Sequence, residues 1–371
     1  MVGPRFGSGA AAAPRNHGAP TPWRAVLLIC MAALLGACAE RGSVDFAPAA
    51  ENATIHRIWA AKFRSAEQAD ARGAPPRPME VEYEALDVSV PPTHSVGKIE
   101  WPRGIPNAAT DFVALRKTEV PALGAFARSV SRGDVSGRGE TMIFVHGYNM
   151  RHGEAVYQVT QFVHDFEIPV PPVLFSWPSA GVTAGYVYDR DSALMSRNAL
   201  ERLILELSSE GRKVFLVGHS MGSYLIMETL RQISQRRSAN VAQRVRGVIL
   251  IAPDIDGELF RAQAQDIGRL PDPFIVMVAR QDRALQASSL LTGRRPRLGN
   301  QADRSLVADL PVSLIDVSQL ADPRGNNHSI AISSPQAIAA LRRLAGQRAP
   351  GEVAVSDLLV LEREDEGVPG Q

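Results

Sequence analysis

The stretch from Val214 to Ile226 (Val-Phe-Leu-Val-Gly-His-Ser-Met-Gly-Ser-Tyr-Leu-Ile) constrains the fold more than any other part of this chain. Val214 to Val217 is an uninterrupted apolar run, which reads as a parallel strand buried on both faces. Gly218-His219-Ser220-Met221-Gly222 follows, and then a helical pattern with Ile226, Leu230 and Ile233 on one face. A strand that passes straight into a helix through G-x-S-x-G must turn very sharply. Gly218 and Gly222 let neighbouring backbone approach without a Cβ, while Ser220 takes a strained conformation that lifts its hydroxyl clear of the sheet. The positive N-terminal end of the helix points at the same place. G-x-S-x-G alone recurs by chance; between this strand and this helix it marks Ser220 as the candidate nucleophile.

The surrounding pattern alternates short apolar strands with amphipathic helices. Strands are predicted at Met142–Val145, Val173–Phe175, Val214–Val217, Val248–Ile251, Phe274–Val278 and Val312–Val317. Helical faces lie between them: Ala155, Val159, Phe162, Val163 and Phe166; then Leu200, Leu203, Ile204 and Leu207; later Ile338, Leu341 and Leu344. The expectation is an α/β-hydrolase fold, a mostly parallel sheet covered by helices on both faces, over residues 141–347. Residues 55–140 read as an N-terminal β extension on the sheet edge, with strands at His56–Ala61, Met79–Val90 and Asp111–Arg116, all expected to pair antiparallel. In the second of these, Val81 and Tyr83 alternate with Glu80, Glu82 and Glu84, giving one dry and one wet face. Residues 348–371 are Pro/Gly-containing and acidic, and read as a mobile tail.

Composition excludes several classes. With 371 residues, 45% hydrophobic and 21% charged, the chain can bury a large core. A net charge of +1 gives no reason to expect a nucleic-acid partner. The only cysteines are Cys30 and Cys38, so a disulfide scaffold and a cysteine metal site are both excluded. Both cysteines sit in the leader. Arg5, Arg15 and Arg24 precede an apolar run, Ala25 to Leu35, too short for a permanent membrane span. It ends in Leu35-Gly36-Ala37-Cys38, which resembles a bacterial lipobox; an ordinary signal peptide or an N-terminal anchor helix is the alternative. That resemblance implies removal of residues 1–37 as a lipoprotein signal peptide and acylation of Cys38, palmitate being one such chain. Residues 38–54 would be a tether. Ala39, rather than an aspartate, follows the cysteine, so the expected location is the outer membrane, facing the periplasm. The leader before Arg24 is long, so the true start of translation is also open.

A serine hydroxyl needs a base, and the base an orienting carboxylate. In this fold the chain order is Ser, Asp/Glu, His. Of eight histidines only His328 lies beyond Ser220, in the polar loop Asp322–His328 after the last predicted strand. Two strand ends offer acids: Asp282 after Phe274–Val278, and Asp254 and Asp256 after Val248–Ile251. Asp282 occupies the usual position, and Asp254 is the alternative. The oxyanion hole needs two backbone N–H groups. Met221 supplies one and Tyr148, in the loop His146-Gly147-Tyr148-Asn149 after the first core strand, supplies the other. His146 would brace that loop. It stands six residues from His152 and no H-E-x-x-H is present, so zinc is rejected, and no metal or organic cofactor is needed. Ser179–Arg197, with Tyr186 and Tyr188, and Ala284–Leu310, with Arg294, Arg295, Arg297 and Arg304, are candidate covers. Those arginines read as a solvated surface, or as an attraction for an anionic head group or polymer.

The set His146-Gly147-Tyr148-Asn149, Phe175-Ser176-Trp177-Pro178, Tyr188-Asp189-Arg190, Gly218–Gly222, Gln281–Leu285 and Asn327-His328-Ser329 is similar to a bacterial family of α/β-hydrolases of the esterase/lipase superfamily, whose substrates are largely undefined. Pro91–His94 to Ile99-Glu100 also resembles that family's leading segment, so the likeness spans about Ile55 to Leu344. It implies cleavage of small-molecule or lipid carboxylic esters by Ser220, Asp282 and His328. Acyl transfer or amide cleavage on the same residues, and a non-catalytic scaffold lipoprotein, are the alternatives.

Overall fold

The computed structural model describes residues 42–64, 80–236, 240–301, 305 and 307–346, together with Gly3. Cys38, Arg304 and the 348–371 tail lie outside the described residues, as does most of the leader. Among the described residues the strands are β1 (Thr54–Phe63), β2 (Val81–Val90), β3 (Val113–Val120), β4 (Glu140–Val145), β5 (Pro172–Ser176), β6 (Lys213–His219), β7 (Val245–Ile251), β8 (Phe274–Val278) and β9 (Ser313–Asp316). The helices are α1 (Leu123–Arg132), α2 (His152–Asp165), α3 (Tyr186–Leu207), α4 (Met221–Arg236), α5 (Val241–Arg244), α6 (Gly257–Ile267), α7 (Arg283–Leu291), α8 (Ile330–Ser333) and α9 (Pro335–Gly346).

The strands form one sheet in the order β3-β2-β1-β5-β4-β6-β7-β8-β9. All pairs from β1–β5 through β8–β9 are parallel, and β1–β2 and β2–β3 are antiparallel. Alternation along each central strand explains why its sequence is apolar throughout. In β4, Ile143 and Val145 join the core on one face, with Phe126, Leu203, Leu225 and Phe260 from the helices there. Met142 and Phe144 join the core on the other face, with Val159, Phe162, Ile338 and Leu341. Full burial of each such side chain contributes about 1.5–3 kcal/mol, so a strand with two dry faces needs helices on both sides. This is the α/β-hydrolase fold, with a mostly parallel sheet covered on both faces.

The N-terminal strands depart from expectation in two respects. β1 does not pair antiparallel onto the edge. It runs parallel to β5, with Trp59 opposite Val173 and Ala61 opposite Phe175. The reason is in its side chains: Ile58 and Ala60 feed one core while Trp59, Ala61 and Phe63 feed the other, as an interior strand requires. Nor is the acidic face of β2 uniformly wet. Glu84 is buried, accepts from His152 Nε2 at 2.8 Å and pairs with Lys62 at 3.5 Å, because α2 starts directly above it. The outer strand β3 exposes Arg116, Lys117, Thr118 and Glu119, a polar edge that discourages pairing with another chain. No helix among the described residues is long and apolar enough to cross a membrane.

Candidate active site

β6 ends at His219, α4 begins at Met221, and Ser220 between them has φ +55°. A positive φ at a residue with a Cβ costs about 1–3 kcal/mol and persists only where the surroundings hold it. Here they do: the Ser220 amide donates to Ile251 O at 2.9 Å, and Ser220 O accepts from the amides of Ser223 and Asp254 at 3.0 and 3.2 Å. The turn also demands glycine nearby. A Cβ at Gly222 would lie 2.2 Å from Val145 O and 2.5 Å from His146 O, and one at Gly147 would lie 3.0 Å from the Cβ of Ser220. The end of β4 is thus pressed against the serine turn.

Asp282 follows β8 and is fully buried. Its Oδ1 accepts the Leu285 amide at 2.9 Å as the N-cap of α7, and its Oδ2 lies 2.8 Å from His328 Nδ1. His328 sits in the loop between β9 and α8. That loop is tied to the β8 end by the Arg283 amide donating to Asn326 O at 3.0 Å, and internally by Asn327 Nδ2 donating to Asp322 O at 2.9 Å. With Nδ1–H directed at the carboxylate, Nε2 of His328 is the ring nitrogen that carries the lone pair. The ring of His219, next in the chain to Ser220, lies 4.8 Å from that of His328.

The other two histidines of the region are electrostatically silent. Burial pulls the His146 pKa down to about 4, and burial together with the nearby charge of His328 pulls that of His219 down to about 3. His146 stacks on Trp177 at 4.9 Å and 11°, its Nδ1 lies 2.8 Å from Gly147 O, and its carbonyl accepts the indole N–H at 2.8 Å. It braces the loop, as its sequence context suggested. It does not converge with His152, whose Nε2 faces Glu84.

That loop carries Tyr148. Asn149 beyond it has φ +55°, and its amide donates to Asp189 Oδ2 at 3.0 Å. Asp189, fully buried on α3, also accepts from Ser179 Oγ at 2.6 Å and from the Ala180 amide at 2.6 Å. The Tyr148 hydroxyl donates to Thr183 O, and its ring meets that of Tyr186 edge-on at 5.5 Å. Among the described residues neither the Tyr148 nor the Met221 amide donates to a backbone carbonyl. The role of Asp189 as the anchor of this loop escaped sequence reasoning, since only folding shows what a helical aspartate accepts.

Asp254 has a different setting. Its Oδ1 accepts from Arg297 Nε at 2.6 Å and Ser288 Oγ at 2.9 Å, its Oδ2 from the Tyr186 hydroxyl at 3.0 Å, and its carbonyl from Arg297 Nη2 at 2.8 Å. Arg297 is 2% exposed, which corrects the reading of this arginine as part of a solvated or substrate-attracting run. The buried pair locks the segment after β7 to the one before β9. Arg295 does remain exposed, against Glu258. Asp256 caps α6 through the amides of Glu258 and Leu259.

A family model described as an alpha/beta hydrolase of unknown function (DUF900) matches residues 126–348. The chain belongs to that hydrolase family. A 61-residue stretch of the chain is 39% identical to the uncharacterized protein alr1448 of Nostoc sp., covering 16% of each chain. Solved structures similar to it include carboxyl esterase 2 of Tuber melanosporum (11% identity, 86% of this chain and 96% of that one, TM-score 0.38). Others are esterase B of Lactobacillus rhamnosis (13%, 86% and 90%, TM-score 0.32) and a predicted hydrolase of Thermoplasma acidophilum (13%, 79% and 100%, TM-score 0.34).

Proposed function

We propose that this member of the hydrolase family cleaves carboxylic esters through an acyl-enzyme on Ser220. The observation that carries the reading is the buried Asp282 carboxylate 2.8 Å from His328 Nδ1, at the sheet end that also holds the strained Ser220 turn. Ser220 Oγ attacks the ester carbonyl carbon while His328 Nε2 takes its proton. The amides of Met221 and Tyr148 receive the oxyanion, each worth about 2.7–4 kcal/mol in related sites. Collapse breaks the ester C–O bond, and the imidazolium returns the proton to the departing alkoxide. Water then attacks the acyl-enzyme with His328 again as base, releasing the carboxylic acid and Ser220. Asp282 keeps the imidazole in the productive tautomer throughout. The test is hydrolysis of a p-nitrophenyl ester series by the wild type, with loss in Ser220→Ala; a folded wild type inactive on every chain length contradicts the reading.

We further propose that Cys38 carries the lipid that holds the enzyme at the outer membrane, on the strength of Leu35-Gly36-Ala37-Cys38. Stable attachment takes two membrane signals, such as two acyl chains. Cys38→Ser should leave the protein unprocessed or free in the periplasm. Normal cleavage with unchanged membrane sedimentation would rule the anchor out.

A further inference from the structure

A second group of side chains lies on elements that the ester chemistry does not use. His94 and Glu100 belong to the loop after β2, and His164 and Asp165 close the last turn of α2. His94 Nδ1 lies 2.8 Å from Glu100 Oε2 and its Nε2 lies 2.9 Å from Asp165 Oδ1. The His164 ring stands 5.1 Å from the His94 ring, and its Nδ1 is 3.1 Å from Nε2 of His56 on β1. One ligand atom each from His94, His164 and Asp165 can be chosen so that all lie within 4.8 Å of one another. The His94 and Asp165 side chains are 6% and 1% exposed.

A neutral imidazole has one N–H, yet carboxylate oxygens face both nitrogens of His94. If Nδ1–H serves Glu100, the Nε2 lone pair meets an oxygen lone pair of Asp165, and either a proton on Nε2 or a metal ion between the two atoms relieves the conflict. Bonds of about 2.0–2.2 Å from one metal ion to a nitrogen and an oxygen bridge such a separation. The same ion reaches His164, whose Nδ1–H can be donated to His56 so that its Nε2 is left as a ligand. The outer groups fit as well. A carboxylate on the far nitrogen of a ligating histidine fixes its tautomer and orientation, and Glu100 is so placed. The second oxygen of Asp165 is held by the Gly97 amide at 2.7 Å and by Gln161 Nε2 at 2.5 Å.

We propose that His94, His164 and Asp165 bind one divalent transition-metal ion of the zinc type. Two imidazoles and a single carboxylate suit zinc or cobalt, whereas calcium and magnesium demand more oxygen donors. The site's reach explains what the ion does. Gln161 Nε2 also donates to Ile332 O at 3.0 Å, and a Cβ at Gly97 would fall 2.1 Å from Ser333 O. Ile332 and Ser333 belong to α8, which begins two residues after His328. The ion therefore fastens the loop after β2 and the end of α2 against the helix that follows the His328 loop.

A bound proton is the rival cation. Burial lowers the His94 pKa, but hydrogen bonds from Asp165 and Glu100 more than offset this and raise it. The full chain, purified without a histidine tag and stripped with chelator, is titrated with Co²⁺ and with Zn²⁺. About one equivalent of each should bind, Co²⁺ with visible d–d absorption and Zn²⁺ with a rise in Tm. Folded His164→Ala and Asp165→Asn should lose that equivalent and the Tm rise. Should the variants not fold, X-ray absorption of the cobalt-loaded wild type decides, with imidazole scattering expected. Failure of the folded wild type to take up either ion would overturn the proposal. So would full uptake by folded His164→Ala, or a cobalt shell without histidine. None of these readouts depends on ester hydrolysis.

Discussion

Asp282 divides its carboxylate between two tasks: Oδ2 holds His328 Nδ1 at 2.8 Å while Oδ1 caps α7 through the Leu285 amide at 2.9 Å. Asparagine is also a good N-cap but cannot stabilise an imidazolium as a carboxylate does. Asp282→Asn should therefore lower kcat by about four orders of magnitude with little change in Tm. Asp282→Ala should add a cap loss of ~1 kcal/mol. Steady-state kinetics and urea melts on the two variants separate the tasks.

Asp254 should show the opposite profile. Its side chain and that of Arg297 are each 3% exposed, and removing one partner of such a pair costs about 3–5 kcal/mol because the other charge is left buried. Asp254→Asn is expected to unfold at markedly lower urea while the folded fraction keeps most of its turnover. A stable but inactive Asp254→Asn would move the orienting acid from Asp282 to Asp254.

Asp189 acts through the loop that carries Tyr148. Its loss removes the carboxylate that accepts from the Asn149 amide and the Ser179 hydroxyl, which loosens the loop that carries the Tyr148 N–H. The expected result for Asp189→Ala is a fall in kcat of up to about 10²–10³, the value of one oxyanion donor. KM for a short p-nitrophenyl ester should change little, and unchanged kcat would take Tyr148 out of the oxyanion hole.

The buried histidines predict how stability depends on pH. His146 and His219 are neutral in the folded protein, with pKa values near 4 and 3 set chiefly by burial, against 6.5 when unfolded. Below pH 6.5 the unfolded chain binds more protons, so stability rises with pH there. The contribution is complete above about pH 6.5 and lost as pH falls toward 4 and then 3, at up to ~1.4 kcal/mol per pH unit for each group. Urea unfolding at pH 7, 6 and 5 should show a falling midpoint, and His219→Asn should flatten the trend.

The core strands were legible because a strand with two buried faces is apolar at every position, as in Val214–Val217 and Phe274–Val278. The turn at Ser220 was legible from G-x-S-x-G between an apolar strand and a helical pattern, whereas chain order singled out His328 but left Asp254 beside Asp282. The parallel partner of β1 was not, since Ile58-Trp59-Ala60-Ala61 is consistent with either direction of pairing. α1 was overlooked although Leu123, Phe126, Ala127 and Val130 recur at helical spacing. Arg297 looked like one of a surface run because its partner Asp254 is 43 residues away. His94 and Asp165, 71 residues apart, meet only once β2 and α2 have packed.

The central claim is that Ser220 is an activated nucleophile, and reaction with a fluorophosphonate tests it most directly. Only a hydroxyl activated by a base attacks readily, and an oxyanion hole beside it stabilises the species formed. Mass spectrometry of the labelled chain should place one adduct on Ser220, and His328→Ala should abolish it as fully as Ser220→Ala, since the two act as a unit. A folded wild type that takes no label at neutral pH, or takes it on another serine, contradicts the account.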